Sequence, residues 1–131
     1  MTAVGRALAS AAVALVALAC GESSSGDPGV ACPTIASASV QVTVVDAQGA
    51  AVVDAKVTYA VDGGAEQQAD CVLPAGSAGC SQWVAGWERT GSFVVRATSA
   101  DGAKKAEGSV VVVKSTGDCP HPVQQTLKLT L

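Results

Sequence analysis

Residues 123–131 read VQQTLKLTL, and this stretch alternates regularly between two sets of side chains. A repeat of two residues places successive side chains on opposite faces of a β-strand, so each set faces one way. In residues 123–131, one set contains Val123, Gln125, Leu127, Leu129 and Leu131, and the other contains Gln124, Thr126, Lys128 and Thr130. Residues 40–44 and 93–98 alternate in the same manner. The pattern predicts half-buried strands that share one core.

Turn-forming sequences separate these stretches. Asp46–Gly49, Asp62–Gly64 and Asp101–Gly102 each place Gly where a turn needs a positive φ. The short spacing between strands favours an all-β fold, an antiparallel or mixed β-sandwich or a small barrel. The continuous apolar run at residues 110–113 predicts a strand buried on both faces or covered by a loop. About seven strands are predicted, near residues 39–46, 55–62, 65–70, 80–84, 91–99, 103–113 and 122–131.

Composition supports one small β domain. The chain has 131 residues, 14 of them Gly, and aromatic residues make up only 3%. Such a length suits a single domain, and a chain rich in Val and Gly favours strands and turns. The formal net charge is −3, whereas nucleic-acid binding needs a basic patch. We therefore predict no nucleic-acid partner.

The N-terminus reads MTAVGRALASAAVALVALAC, residues 1–20. Arg6 precedes an uncharged apolar run that is too short to span a bilayer, as is typical of a secretory signal. The run ends at Cys20 and resembles a bacterial lipobox, in which the Cys receives a lipid before cleavage. The sequence predicts a lipoprotein signal peptide at residues 1–19, a lipidated Cys20 with a Gly- and Ser-rich tether at residues 20–37, and a folded domain at residues 38–131.

Lipidation of Cys20 implies attachment to a membrane of the cell envelope. Two or more acyl chains hold a protein on a bilayer almost permanently. In lipoprotein sorting an Asp after the Cys commonly retains the protein at the inner membrane, and this chain has Gly21 there. We expect the outer membrane rather than the inner one, with the domain in the periplasm or at the cell surface.

Four further cysteines, Cys32, Cys71, Cys80 and Cys119, allow three disulfide pairings. Pro and Gly residues between Cys71 and Cys80 let the chain turn back, which favours that pair and leaves Cys32 with Cys119. The second bridge also suits first and last strands that lie side by side and parallel. Zinc binding is the alternative, but the spacings lack the close pairs of a zinc site.

Three segments, taken together, resemble the carboxypeptidase regulatory-like domain, a module of the prealbumin-like or transthyretin-like sandwich class. They are VQVTVVDAQGAAVVDAKVTYA at residues 40–60, AGWERTGSFVVRATS at residues 85–99 and GDCPHPVQQTLKLTL at residues 117–131. The family usually has a Gly-Tyr pair after the Phe93 strand, whereas this chain has a turn at residues 99–102. The resemblance implies a non-catalytic accessory or binding module.

Few residues are candidates for a site. His121 is the single His, and it lies between Pro120 and Pro122 in a Cys-containing loop. A metallopeptidase needs several ligands, so we predict no catalytic residue, no metal and no cofactor. Trp83 and Trp87 are the other candidates; Trp87 follows a Gly, and it either covers one end of a core that has few other aromatic residues or lies exposed and stacks on a sugar or peptide. Trp87 and His121 are the two candidate ligand contacts.

The sequence favours a lipid-anchored, non-enzymatic envelope protein that binds a protein or glycan partner. Two alternatives remain. The chain is a structural spacer without a specific ligand, or it is a cryptic hydrolase that uses His121. Isolating a partner would distinguish the binding protein from the spacer. Comparing the activity of the wild type with that of His121→Ala would test the hydrolase.

Overall fold

The structure, a computed structural model, describes residues 31–131. The predicted signal sequence, the lipidation site Cys20 and residues 20–30 of the predicted tether lie outside these residues. The described chain is all-β and consists of two four-stranded sheets packed face to face. The strands are β1 Ala38–Val45, β2 Lys56–Val61, β3 Gln67–Gln68, β4 Asp70–Ala75, β5 Gly79–Trp87, β6 Gly91–Thr98, β7 Lys105–Val112 and β8 Gln125–Thr130.

The first sheet has the strand order β4–β5–β1–β8, and the second has the order β3–β2–β6–β7. The first and last strands pair in parallel, from Val40 opposite Gln125 to Val45 opposite Thr130. All other strand pairs are antiparallel. The prediction of a mixed β-sandwich is therefore confirmed, with eight strands rather than about seven.

The core lies between the sheets and is built from the predicted alternating positions. Val40, Val42 and Val44 of β1 are buried there, as is Phe93, whose ring stacks on Tyr59 with centroids 6.0 Å apart. Trp83 also belongs to this core. Small aliphatic side chains thus fill most of the space, and three aromatic rings supply the bulk.

The predicted strand at residues 65–70 is wrong in its extent. The chain instead forms β3 in the second sheet and β4 in the first, and Ala69 lies between them. Ala69 is buried, and its N–H donates to the carbonyl of Val57 at 3.0 Å. A small side chain at this corner lets the chain pass between the layers without filling core volume. The next strand, β5, is longer than the predicted 80–84 because β1 continues to pair with it at Ala85 and Trp87, beyond the end of its pairing with β4.

The prediction for the apolar run 110–113 is also wrong. Val112 is buried, whereas Val111 is 60% exposed and Val113 is 55% exposed. Strand β7 is an edge strand that packs one face on the core, and no described segment covers its other face at Val111. The four consecutive Val residues at 110–113 therefore alternate between more buried and exposed positions although their side chains are identical.

Two disulfides cross-link the chain, and their pairing is the one that the sequence favours. Cys71 and Cys80 join β4 to β5, with Cα atoms 5.9 Å apart. Cys32 and Cys119 join the segment before β1 to the loop before β8, with Cα atoms 5.3 Å apart. The predicted pairing is confirmed, and both bridges lie on the first sheet or beside it.

Candidate functional site

Trp87 and His121, the two candidate ligand contacts, line the same open cleft. The cleft has a volume of about 540 Å³ and lies on the outer face of the first sheet. Its other lining residues come from the segment before β1, from β1, β4 and β5, and from the chain leading into β8: Ala36, Ser37, Ala38, Gln41, Val72, Val84, Pro122, Val123 and Gln124. The two candidates are far apart in sequence, and the sandwich brings them together.

The floor of the cleft is formed where β1 and β5 lie side by side. Gln41 is opposite Val84 in the antiparallel register. Trp83 and Ala85 face the core, so Val84 faces outward, yet Val84 is only 2% exposed. The base of the cleft therefore combines the apolar Val84 with the amide of Gln41.

Trp87 reaches the cleft because of the residue before it. Gly86 has a φ of +78°, and an added Cβ would lie 2.9 Å from Cε1 of Phe93. Trp87 lies two residues after the core residue Ala85, so regular alternation would turn its side chain toward the core. The left-handed conformation of Gly86 interrupts this alternation. Trp87 is 39% exposed as a result. Its indole Nε1–H donates to Oδ2 of Asp70 at 2.8 Å, which fixes the ring.

Backbone contacts hold the segment that precedes β1 as one wall of the cleft. The N–H of Glu88 donates to the carbonyl of Ser37 at 2.9 Å, and the N–H of Ser37 donates to the Glu88 carboxylate. The buried Ser39 hydroxyl donates to the carbonyl of Arg89 at 2.6 Å and accepts from its N–H at 3.0 Å. Together with the bridge from Cys32, these bonds tie residues 32–39 to the β5–β6 turn and the loop before β8.

The ring of His121 is oriented by the loop that carries it. Nδ1 lies 3.0 Å from the carbonyl oxygen of Cys119 and 3.1 Å from Oγ of Ser115. A carbonyl can only accept, so we assign the hydrogen of the neutral ring to Nδ1. Nε2 then carries the free lone pair, and within residues 31–131 it has no hydrogen-bond partner. The ring can accept a hydrogen bond from a ligand.

Ser115 is a residue that the sequence reasoning missed. Its hydroxyl accepts from the backbone N–H of His121 at 3.0 Å, and the backbone N–H of Ser115 donates to the His121 carbonyl at 2.7 Å. Because Nδ1 is a donor in this arrangement, it cannot take a proton from the Ser115 hydroxyl. The contact orients the imidazole and closes the loop, and it gives Ser115 no base from His121.

The outer face of the second sheet differs in character. Nε of Arg96 donates to Oε2 of Glu107 at 2.7 Å, and Nη1 lies 3.5 Å from Oε2 of Glu66. The hydrogen bond and the charge of Glu107 raise the pKa of Arg96. At the β6–β7 turn, the Ser99 hydroxyl donates to Asp101 at 2.6 Å and lowers the pKa of that carboxyl. Arg96, Glu66 and Glu107 are thus paired with one another, whereas the exposed Lys56 and Lys105 of the same face form no salt bridge among the described residues.

Among residues 31–131, no group of His, Cys, Asp or Glu side chains is arranged to hold a metal ion. The same part of the chain contains no helix long and apolar enough to cross a membrane. Comparisons of the chain with protein-family models, with curated proteins and with solved structures found no match.

Proposed function

We propose that this chain is a lipid-anchored, non-enzymatic protein of the bacterial cell envelope whose β-sandwich binds a protein or glycan partner. The cleft at which Trp87 and His121 meet carries the proposal. It combines apolar lining residues such as Val84, a half-exposed aromatic ring and polar groups that have free hydrogen-bonding capacity. Ligand sites commonly combine a concave apolar surface with a few placed polar groups.

The cysteines support the envelope as the location. Two disulfides persist in an oxidising compartment and are rare in the cytosol. They use all four cysteines of the domain, so Cys20 is the one left for a lipid. Cys32 follows Cys20 by a short Gly- and Ser-rich segment, which would keep the anchored domain close to the bilayer surface.

We also propose that the domain is related to the carboxypeptidase regulatory-like sandwiches. Two features support this relationship. The Asp46–Gly49 segment forms a hydrogen-bonded turn, in which the N–H of Gly49 donates to the carbonyl of Asp46 at 3.0 Å. The last strand lies in the first sheet beside β1. Such a module would act as an accessory that binds, and its name would imply no peptidase activity.

The anchor is tested by mass spectrometry of the mature protein purified from the membrane of exporting cells. We expect an N-terminus at Cys20 that carries a diacylglycerol group, and a Cys20→Ser variant that lacks it. An unmodified Cys20, or cleavage at another residue, would contradict the lipoprotein proposal and leave an exported sandwich.

Binding is tested in cells with a photo-crosslinking amino acid at position 124, on the cleft rim, and a matched one at position 111, on the exposed face of β7. We expect adducts from position 124 that position 111 does not give. Equal or absent adducts at the two positions would favour the spacer alternative instead.

A further inference from the structure

We propose that the cleft on the first sheet binds a neutral oligosaccharide and that Trp87 is the surface on which a sugar ring stacks. The inference rests on the proposed binding function and names the ligand class of the same site. Three properties of the cleft lead to it: its aromatic ring, its lack of formal charge and the state of its backbone groups.

The first property is the way in which Trp87 is held. Its one hydrogen-bond donor is occupied by Asp70, at 2.8 Å. What the ring offers a ligand is therefore its aromatic surface and not a polar group. The ring is fixed before the ligand arrives, so binding does not have to order it. A sugar ring presents a patch of C–H groups that stacks on such a surface while its hydroxyls point to the sides.

The second property is charge. Among residues 31–131, no Asp, Glu, Lys or Arg lines the cleft, and the two carboxylates that border it, Asp70 and Glu88, are hydrogen bonded to Trp87 and Ser37. An anionic ligand would find no cation there, whereas hydroxyl and amide groups would find several partners. Gln41 accepts from Nε2 of Gln82 at 3.3 Å, so its own amide N–H groups are left to donate. Nε2 of His121 accepts, and the exposed Gln124 amide does both.

The third property distinguishes a glycan from an extended peptide. Peptides that bind β domains commonly add a strand to a free sheet edge through main-chain hydrogen bonds. The floor of the cleft instead lies over β5 and β1, and each of these strands is paired on both sides. Their backbone groups are used within the sheet. The edge strand β4 contributes only Val72 to the lining. A ligand here is recognised by side chains, as sugars are.

The volume is suited to a short oligosaccharide. At about 540 Å³ it falls in the range of about 300–1,000 Å³ that is typical of ligand sites. The cleft is open, so a longer chain can extend beyond it at either end. We expect weak binding of a single sugar unit and tighter binding of a chain of several units.

The test uses the full mature protein, purified in a detergent that has no sugar headgroup. Short neutral oligosaccharides of glucose, mannose and N-acetylglucosamine are titrated while the indole N–H signals of the two Trp residues are followed by NMR. We expect the Trp87 signal to shift, with the buried Trp83 as an internal reference. Trp87→Ala should weaken the affinity for the bound sugar at least about tenfold.

Matched variants keep the outcome interpretable. Gln124→Ala removes a rim amide without touching the core, and we expect it to weaken binding by several-fold. Val111→Ala removes an exposed side chain from the other sheet, and we expect it to leave binding unchanged. Equal binding by all variants, or a sugar that leaves the Trp87 signal unmoved, would overturn this site.

Failure of the sugar and failure of the binding function give different results. If no oligosaccharide binds while the crosslinker at position 124 traps an envelope protein, the carbohydrate inference is wrong and the binding function stands. If no sugar binds and position 124 traps nothing beyond what position 111 traps, both are wrong.

Discussion

The outer faces of the two sheets differ in whether their polar side chains have partners within the protein. On the second sheet, the guanidinium of Arg96 forms salt bridges with two carboxylates, so its charge is neutralised within the protein. On the first sheet, no Asp, Glu, Lys or Arg among residues 31–131 lines the cleft, and the polar groups of Gln41, His121 and Gln124 retain unused hydrogen-bonding capacity. Polar groups that satisfy one another, as in the Arg96 cluster, have little capacity left for a ligand, whereas groups held in place beside an aromatic ring are available to one. The first sheet is therefore where we place binding.

Both disulfides belong to the side that carries the cleft, and their removal should produce the largest effects. In the chain-entropy account, the bridge with a sequence separation of 87 contributes about 4.5 kcal/mol and the one with a separation of 9 about 3 kcal/mol. We expect Cys32→Ser/Cys119→Ser to lower the free energy of unfolding more than Cys71→Ser/Cys80→Ser. Urea unfolding of protein exported to an oxidising compartment measures both.

The same pair of variants separates stability from the site. The bridge from Cys32 holds the segment that forms one wall of the cleft, so its loss should weaken cleft binding even where the core remains folded. Cys71 of the other bridge lies between Asp70, which holds Trp87, and Val72, which lines the cleft. Strand β4 stays paired with β5 without that bridge, so its loss should reduce stability with less effect on binding. The reverse order in the binding measurement would show that the wall does not depend on the bridge from Cys32.

Gly86 provides the next largest effect, because it sets the position of Trp87. Gly86→Ala adds a Cβ at a φ of +78° and 2.9 Å from the buried Phe93 ring. Backbone strain and crowding of the core each cost about 1–3 kcal/mol, so we expect a loss of at least about 2 kcal/mol in the free energy of unfolding. Urea unfolding measures the loss.

Gly49→Ala is the matched control for Gly86→Ala. Gly49 has a φ of +82°, and an added Cβ would meet no atom within 4 Å. We expect a loss of about 1 kcal/mol from strain alone. If Gly49→Ala is as costly as Gly86→Ala, the contact with Phe93 does not constrain the end of β5.

Much of the sandwich follows from local sequence, but the cleft does not. Alternation predicted β1 and β8, and cysteine spacing predicted the bridges. The passage between sheets at Ala69 was missed because no local pattern marks a change of layer. The Val run at 110–113 hid its alternation because its residues are identical. Trp87 and His121 were each noted from their neighbours, yet only the left-handed Gly86 and the parallel pairing of β1 with β8 bring them together.

Arg96 gives a smaller effect, which belongs to the second sheet alone. Its partners are about half exposed, and exposed ion pairs contribute little and are screened by salt. We expect Arg96→Met to reduce stability slightly at low ionic strength and not at high ionic strength. Gln41→Met on the first sheet removes a neutral hydrogen bond to Gln82, and its effect should not depend on salt. Thermal unfolding at two salt concentrations checks both, and a salt-dependent Gln41→Met would contradict the division between the faces.

Asp101 gives the smallest effect, visible only in acid. The Ser99 hydroxyl, the Ala103 N–H at 3.0 Å and the nearby Lys104 favour the carboxylate and lower the pKa of Asp101 below its usual 3.8. A group whose pKa is lower in the folded state stabilises the protein above its unfolded pKa and loses that contribution as the pH falls through the folded value. The advantage of the wild type over Asp101→Asn should therefore be present at neutral pH and fade below a pH of about 3.8.

An NMR titration of the Asp101 carboxyl tests the cause directly. In Ser99→Ala the largest of the favourable contacts is gone, so the pKa of Asp101 should rise toward 3.8. The substitution lies at the β6–β7 turn, away from the cleft, and it should leave the Trp87 indole signal unchanged. A shift of that signal would mean that the two faces are coupled through the core. The outer face of the second sheet could then no longer be treated as independent of the ligand-binding face.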